Sequence, residues 1–217
     1  PETQAMLQRL ATTCCFLLAL VASADLRAQC AERVLVSGYF SNNVHIYDAC
    51  SGAFERVLDD QGRIRGAQAL RVGPDGRLYV VSENNGRILR YDARTLDYID
   101  TFIVTGAGFD PTGVAFGPDG DIYVGGYTAD SVRRYDGTTG ALEATVVPAR
   151  AAGLNGPDNG LTFGPDGRLY IPGYDSNSVV VYDPASGSTS GFIAGGSGGL
   201  RLTRGILFEA NGNVLVS

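Results

Sequence analysis

Residues 112–147 read TGVAFGPDGDIYVGGYTADSVRRYDGTTGALEATVV, and the reading of this stretch decides the fold. At its centre Gly117-Pro118-Asp119-Gly120 puts proline where a type I turn wants a preset φ. Aspartate follows where a short polar side chain can bond its own backbone, and glycine where φ must be positive. Before the turn Val114 and Phe116 stand two residues apart, and after it Ile122 to Val124 is a short run of β-branched and aromatic residues. That pattern predicts two antiparallel strands joined by a tight turn. A third strand ends in Tyr135-Asp136, and Gly137-Thr138-Thr139-Gly140 turns the chain into a fourth, Ala141 to Val147.

Outward from this unit the same marks recur. Tyr47-Asp48, Tyr91-Asp92, Tyr135-Asp136 and Tyr182-Asp183 follow at steps of 44, 44 and 47 residues. Gly73-Pro74-Asp75-Gly76 and Gly164-Pro165-Asp166-Gly167 repeat the first turn, and Glu209-Ala210-Asn211-Gly212 is a degenerate copy. Four antiparallel strands in a repeat of this length predict the blades of an all-β propeller. A β-sandwich, the other all-β reading, has no need for identical turns at a fixed period. The phase gives a first blade near 31–60 that lacks its first strand and complete blades near 67–104, 112–147 and 159–194. A partial blade follows at 204–217, for about four and a quarter in all. Val214-Leu215-Val216-Ser217 echoes Val34-Leu35-Val36-Ser37, as though a further blade were opening. The expectation is a truncated reading frame.

These turn motifs resemble NHL-type repeats and the wider propeller superfamily that includes gluconolactonase and senescence-marker-like proteins. The resemblance covers residues 31–217 and implies a six-bladed propeller. Its motifs specify the fold and leave the activity open.

Composition removes several chemistries. All 17 basic residues are Arg, with one His and no Trp. Without Lys there is no Schiff base and no P-loop phosphate contact, and one His cannot build a multi-histidine metal site. A net charge of −6 argues against nucleic acid as a partner. From Met6 the chain reads as an export signal, with Arg9, an apolar run from Phe16 to Ala22, and Ala22-Ser23-Ala24 as a cleavage site. Residues 1–24 are thus expected to be upstream sequence plus signal, and 25–217 a secreted or periplasmic propeller with no stable membrane insertion after cleavage. Cys14 and Cys15 fall in the signal, leaving Cys30 and Cys50 in an oxidising compartment. They bracket two adjacent antiparallel strands, so a Cys30–Cys50 disulfide is expected, closing a loop of about 20 residues and contributing roughly 3 kcal/mol.

Function must be argued from a site, and propellers bind at one mouth of the central channel. The residue just before each innermost strand is Gln68, Thr112, Asn159 or Arg204, with Asp158, Asp110 and Asn155 in the same inter-blade loops. This ring is the candidate ligand site. As a ring it is polar and carries no carboxylate. That favours a scaffold binding a small molecule or protein over an enzyme, since acid–base catalysis needs a titratable group in the pocket. Asn159 to Gly167 resembles the stretch that places a metal-ligating Asn in gluconolactonase-like hydrolases, which implies Ca²⁺ and hydrolysis of lactones or related esters as the alternative. Gln68 and Thr112 depart from that pattern, and Arg204 would repel a cation. The residues therefore favour Asn159 as a loop residue bonding backbone. His45 reads as a surface histidine away from the channel, which disfavours a likeness to the streptogramin lyase propellers. Gly195 to Gly199 reads as a flexible inter-blade loop. Tyr39, Tyr127 and Tyr174 share one repeat position, with Glu83 in their place in the second blade. They read equally as binding aromatics and as repeat-imposed packing.

Overall fold

The computed structural model describes residues 32–58 and 61–217. Five antiparallel sheets account for nearly all regular structure among them. The first has the order β1-β2-β3, from Arg33–Gly38, Asn43–Asp48 and Phe54–Val57. Three four-stranded meanders follow. They are β4–β7 (Ala67–Val72, Arg77–Ser82, Arg87–Asp92, Tyr98–Val104), β8–β11 (Pro111–Phe116, Ile122–Gly126, Ser131–Tyr135, Leu142–Val147) and β12–β15 (Thr162–Phe163, Leu169–Gly173, Ser178–Asp183, Ser188–Ile193). The last sheet pairs β16 (Ile206–Phe208) with β17 (Val214–Val216). These are the blades of a partial β-propeller, phased as the repeats require. The only helical turns among the described residues are three short 3-10 segments, Glu83–Asn85, Ala151–Gly153 and Ser197–Gly199.

The described residues divide into two compact units, 32–34 with 46–55, and 35–45 with 56–58 and 61–217. In the first, Arg33 Nε lies 2.9 Å from Glu55 Oε2, Tyr47 meets Phe54 edge to face, and Asp48 accepts the Cys50 and Ser51 amides. Cys50 is disulfide-bonded. Cys30, its expected partner, and the whole export segment lie outside the described residues.

In the second unit the core lies between blades. Tyr79, Val81 and Ile88 of one sheet pack with Val114, Ile122 and Val124 of the next. Tyr123, Val132 and Val147 then pack with Leu169, Ile171 and Val180, and Tyr170 and Val181 pack with Ile206. Middle strands are therefore covered on both faces, and β9 and β13 are buried at every position. The outer strands β7, β11 and β15 stay largely exposed.

One contact repeats across each inter-blade seam. Tyr79 meets Phe116 at 4.9 Å, Tyr123 meets Phe163 at 5.1 Å, and Tyr170 meets Phe208 at 4.9 Å, all edge to face. The same tyrosines donate their hydroxyls to the turn aspartates Asp75, Asp119 and Asp166 at 3.0, 2.7 and 2.8 Å. In these hairpins Gly76, Gly120 and Gly167 take φ of 73°, 88° and 75°. The turn motif thus closes the hairpin and anchors the ring that joins blades.

The Tyr-Asp motif is structural as well. Asp92 accepts the Arg94 and Thr95 amides, and Asp136 accepts the Thr138 and Thr139 amides together with the Thr139 hydroxyl. Gly195 to Gly199, read from sequence as flexible, is bonded into place by Gly196 N–H to Asn177 O at 3.0 Å and Leu200 N–H to Ser197 O at 3.1 Å.

Candidate functional site

Opposite these turns, at the other end of the strands, a pocket of about 410 Å³ opens entirely within the second unit. Two repeat positions build it. From the loop between the two middle strands of successive blades come Tyr39, Glu83, Tyr127 and Tyr174, and from the start of the innermost strands come Gln68, Thr112, Asp158 and Arg204. Phe40 completes the rim and is 94% exposed.

The loop position is fixed by a bond that recurs in three blades. Glu83 N–H donates to Gly66 O, Tyr127 N–H to Asp110 O, and Tyr174 N–H to Gly156 O, at 2.9–3.0 Å. The accepting residues all have positive φ. Gly156 is needed there twice over, because a Cβ would also fall 2.9 Å from Tyr127 Cε2. On the innermost strands a Cβ at Gly113 would lie 2.1 Å from Leu161 Cδ2 and 2.9 Å from Asp158 O. Its absence lets neighbouring innermost strands meet, and Thr112 Oγ1 then donates to Pro157 O at 2.6 Å.

The ring expected from sequence is shifted by one residue in one blade. Pro111 pairs with Gly126 and Pro157 with Gly173, which makes Asp158 the counterpart of Thr112. Blade four has one more residue than blade three between that proline and its Gly-Pro-Asp-Gly turn, so counting back from the turn lands on Asn159. Gln68, Thr112, Asp158 and Arg204 line the pocket, and Asn159 stands behind it, half-buried, with Nδ2 3.4 Å from Gln68 Oε1. Asn159 therefore bonds a side chain of another blade, where loop backbone was expected.

This corrects the expectation of a mouth without carboxylates. Asp158 is only 3% exposed. Its Oδ1 accepts the Asn159 amide at 2.6 Å, and its Oδ2 is 3.7 Å from Arg204 Nε, beyond hydrogen-bond reach. Burial pushes its pKa up, against the Asn159 N–H and Arg204, and the Asp175 charge pushes the same way. Glu83 is also pushed up, chiefly by burial and further by Asp110 and Asp158, while the Gln68 amide at 2.5 Å pulls back. Burial, with Asp175 beside it, raises Tyr127 to about 12. Arg204 is half exposed and lies with its guanidinium carbon 4.7 Å from the Tyr174 ring centre, and Tyr127 and Tyr174 are 6.2 Å apart.

Glu83 and Phe40 are lining residues the sequence did not single out as a site, and Tyr39, Tyr127 and Tyr174 are lining residues it left open between binding and packing. The signal for Glu83 was its substitution at a position otherwise held by tyrosine. His45 is half-buried and lines no described pocket.

A Ca²⁺ site does not fit the mouth. The ion wants six to eight oxygens, whereas the Asn159 amide is turned to Gln68 and a guanidinium stands beside Asp158. Elsewhere Asp121, Asp136 and Glu143 cluster, but Arg134 Nε sits 2.8 Å from Glu143 and 3.5 Å from Asp121, so the group is already neutralised in part.

No family model matches the chain, and no curated protein does either. Among solved structures the chain is similar to a catalytically inactive histidine-to-alanine variant of virginiamycin B lyase from Staphylococcus aureus with quinupristin. The identity is 15% over 86% of this chain and 66% of that one, with a TM-score of 0.62. It is also similar to Kuenenia stuttgartiensis hydrazine synthase (20% identity, 85% and 51% covered, TM-score 0.62) and to a chain of the nidogen/laminin complex (16%, 82% and 66%, 0.62). The chain thus spans about two thirds of the lyase's length. These likenesses establish the propeller fold. They also correct the expectation that a likeness to streptogramin lyases is disfavoured: it holds for the fold, while this chain's one histidine lies off the pocket.

Proposed function

We propose that this protein is an exported binding propeller that holds a small molecule in the mouth pocket. One observation carries the reading. Successive blades turn the same two repeat positions into a single concave site, lined by Tyr39, Glu83, Tyr127 and Tyr174 at one and by Gln68, Thr112, Asp158 and Arg204 at the other. Packing would be served by identical residues. A pocket with aromatic walls and a few convergent charged groups is the usual form of a ligand site. In this reading residues 1–24 direct export, the protein is secreted or periplasmic, and a Cys30–Cys50 disulfide fastens the first sheet.

The test is a screen of the exported chain against small neutral, anionic and cationic molecules, with isotope-labelled tyrosines read by NMR. Ligands that move the Tyr39, Tyr127 and Tyr174 signals support the reading, and a screen in which none move contradicts it. Nidogen/laminin among the structural neighbours keeps a protein partner in view, and a partner masked by Phe40→Ser would favour it.

A second reading, hydrolysis of a lactone or related ester, draws on Asp158 and Glu83. Carboxylates raised by burial are suited to proton transfer. Turnover of a lactone panel that is lost in Asp158→Asn would favour it, and turnover that also requires Ca²⁺ would restore the metal-dependent version and a ligand role for Asn159.

A further inference from the structure

We propose that the mouth pocket selects an organic monocation, a molecule with one ammonium or guanidinium head and a small apolar body. This rests on the binding reading above and names its ligand class. Two carboxylates, Glu83 and Asp158, line the pocket against one guanidinium, Arg204, which leaves one negative charge uncompensated when both are ionised. Among the described residues the Glu83 carboxylate has a single hydrogen-bond partner, Gln68, and that partner is neutral. Asp158 is 3% exposed, and its oxygen turned toward Arg204 stands 3.7 Å from that guanidinium, beyond hydrogen-bond reach. Carboxylates withdrawn from water in part or in whole attract a positive group more strongly, because less water competes for them.

The aromatic lining supplies the second requirement. Aromatic faces hold ammonium and guanidinium groups by their quadrupole, and enclosure by several rings is the familiar way to bind a quaternary ammonium. The protein already does this with its own side chain, since Arg204 rests over Tyr174 while facing Asp158. Arg204 is half exposed and held by Tyr174 and Asp158, so its guanidinium marks the kind of head group the site accepts and competes with it. Phe40 and Tyr39, edge to face at 5.1 Å, offer an exposed apolar wall for the rest of the molecule. The volume suits a ligand of modest size.

The experiment titrates the exported chain with choline, phenethylammonium, the uncharged copy of choline 3,3-dimethylbutan-1-ol, and acetate, by calorimetry and by NMR of labelled tyrosines. Expected is binding of at least one cation with movement of the Tyr127 and Tyr174 signals, and affinity for the neutral copy lower by about tenfold or more. Glu83→Gln keeps the Gln68 bond and should weaken the cation by a similar factor. Arg204→Gln removes the competing guanidinium and should tighten it severalfold, a gain that misfolding cannot mimic. If the alcohol or acetate moves the tyrosines and neither cation does, the monocation inference is overturned and the pocket reading stands. Silence from all four overturns the inference, and the wider screen then decides the pocket. Cation binding indifferent to both variants also overturns it.

Discussion

At one end of the blades Asp92, Asp136 and Asp183 each accept two or more hydrogen bonds from the turns they open, and at the other end of the same sheets Glu83 and Asp158 each accept one. The Thr95 amide at Asp92, the Thr139 hydroxyl at Asp136 and the Ala185 amide at Asp183 hold these carboxyls below the ordinary aspartate range. Burial and neighbouring charges hold Glu83 and Asp158 above theirs. The repeat uses carboxylates as fasteners at the turns and keeps them under-bonded at the mouth. Residues that cost the fold free energy and recur at a concave surface are the mark of a site.

The strongest way to break this contrast is at the fastened end. Tyr123 is fully buried, meets Phe163 edge to face and bonds Asp119. Tyr123→Ala should cost about 3–5 kcal/mol in denaturant unfolding. Tyr123→Phe keeps the ring and should cost about 1 kcal/mol. Equal losses would mean that the hydroxyl, and not the inter-blade ring, carries the seam.

At the mouth, Asp158→Asn keeps an acceptor for the Asn159 amide and removes a poorly solvated charge. Stability should stay within about 1 kcal/mol of the parent or rise, while ligand binding is lost. A loss above about 2 kcal/mol would reclassify Asp158 as a fastener. The smallest effect is expected from the half-exposed Asp136. Asp136→Ala should lower the melting temperature, and Asp136→Asn, which retains an accepting oxygen, should recover part of the loss. If the two variants melt alike, charge rather than hydrogen bonding holds the turn.

The fastened end was legible in the sequence because its chemistry is local. Proline, aspartate and glycine within four residues dictate a hairpin, and Tyr-Asp with its Thr or Ser dictates the next turn, so period and phase could be read directly. The mouth was legible only in outline. Gln68, Thr112 and Arg204 come together as the ring predicts, but one extra residue in blade four puts Asp158 in the pocket where the ring had Asn159. That shift is set by the Pro157–Gly173 pairing across the sheet, which alternation along one strand does not encode. Glu83 becomes a site residue through Gln68, fifteen positions earlier, whose side-chain amide its carboxylate accepts within the same blade. Neither is a property of its own neighbourhood in the chain.

The central claim, that the mouth carboxylates are kept against the interest of stability, is tested most directly by the pH dependence of unfolding. The comparison is between the parent and the double variant Glu83→Gln/Asp158→Asn. A carboxyl whose folded pKa is raised destabilises the protein when ionised, and that cost disappears as pH falls through the raised folded pKa toward the unfolded one. The depressed turn aspartates act in the other direction, losing their contribution only as pH falls further, through their folded values, and they do so in both proteins. The account predicts that the double variant is the more stable at neutral pH and that the two curves converge in acid. A double variant less stable than the parent at neutral pH would show that Glu83 and Asp158 hold the fold together, and would contradict it.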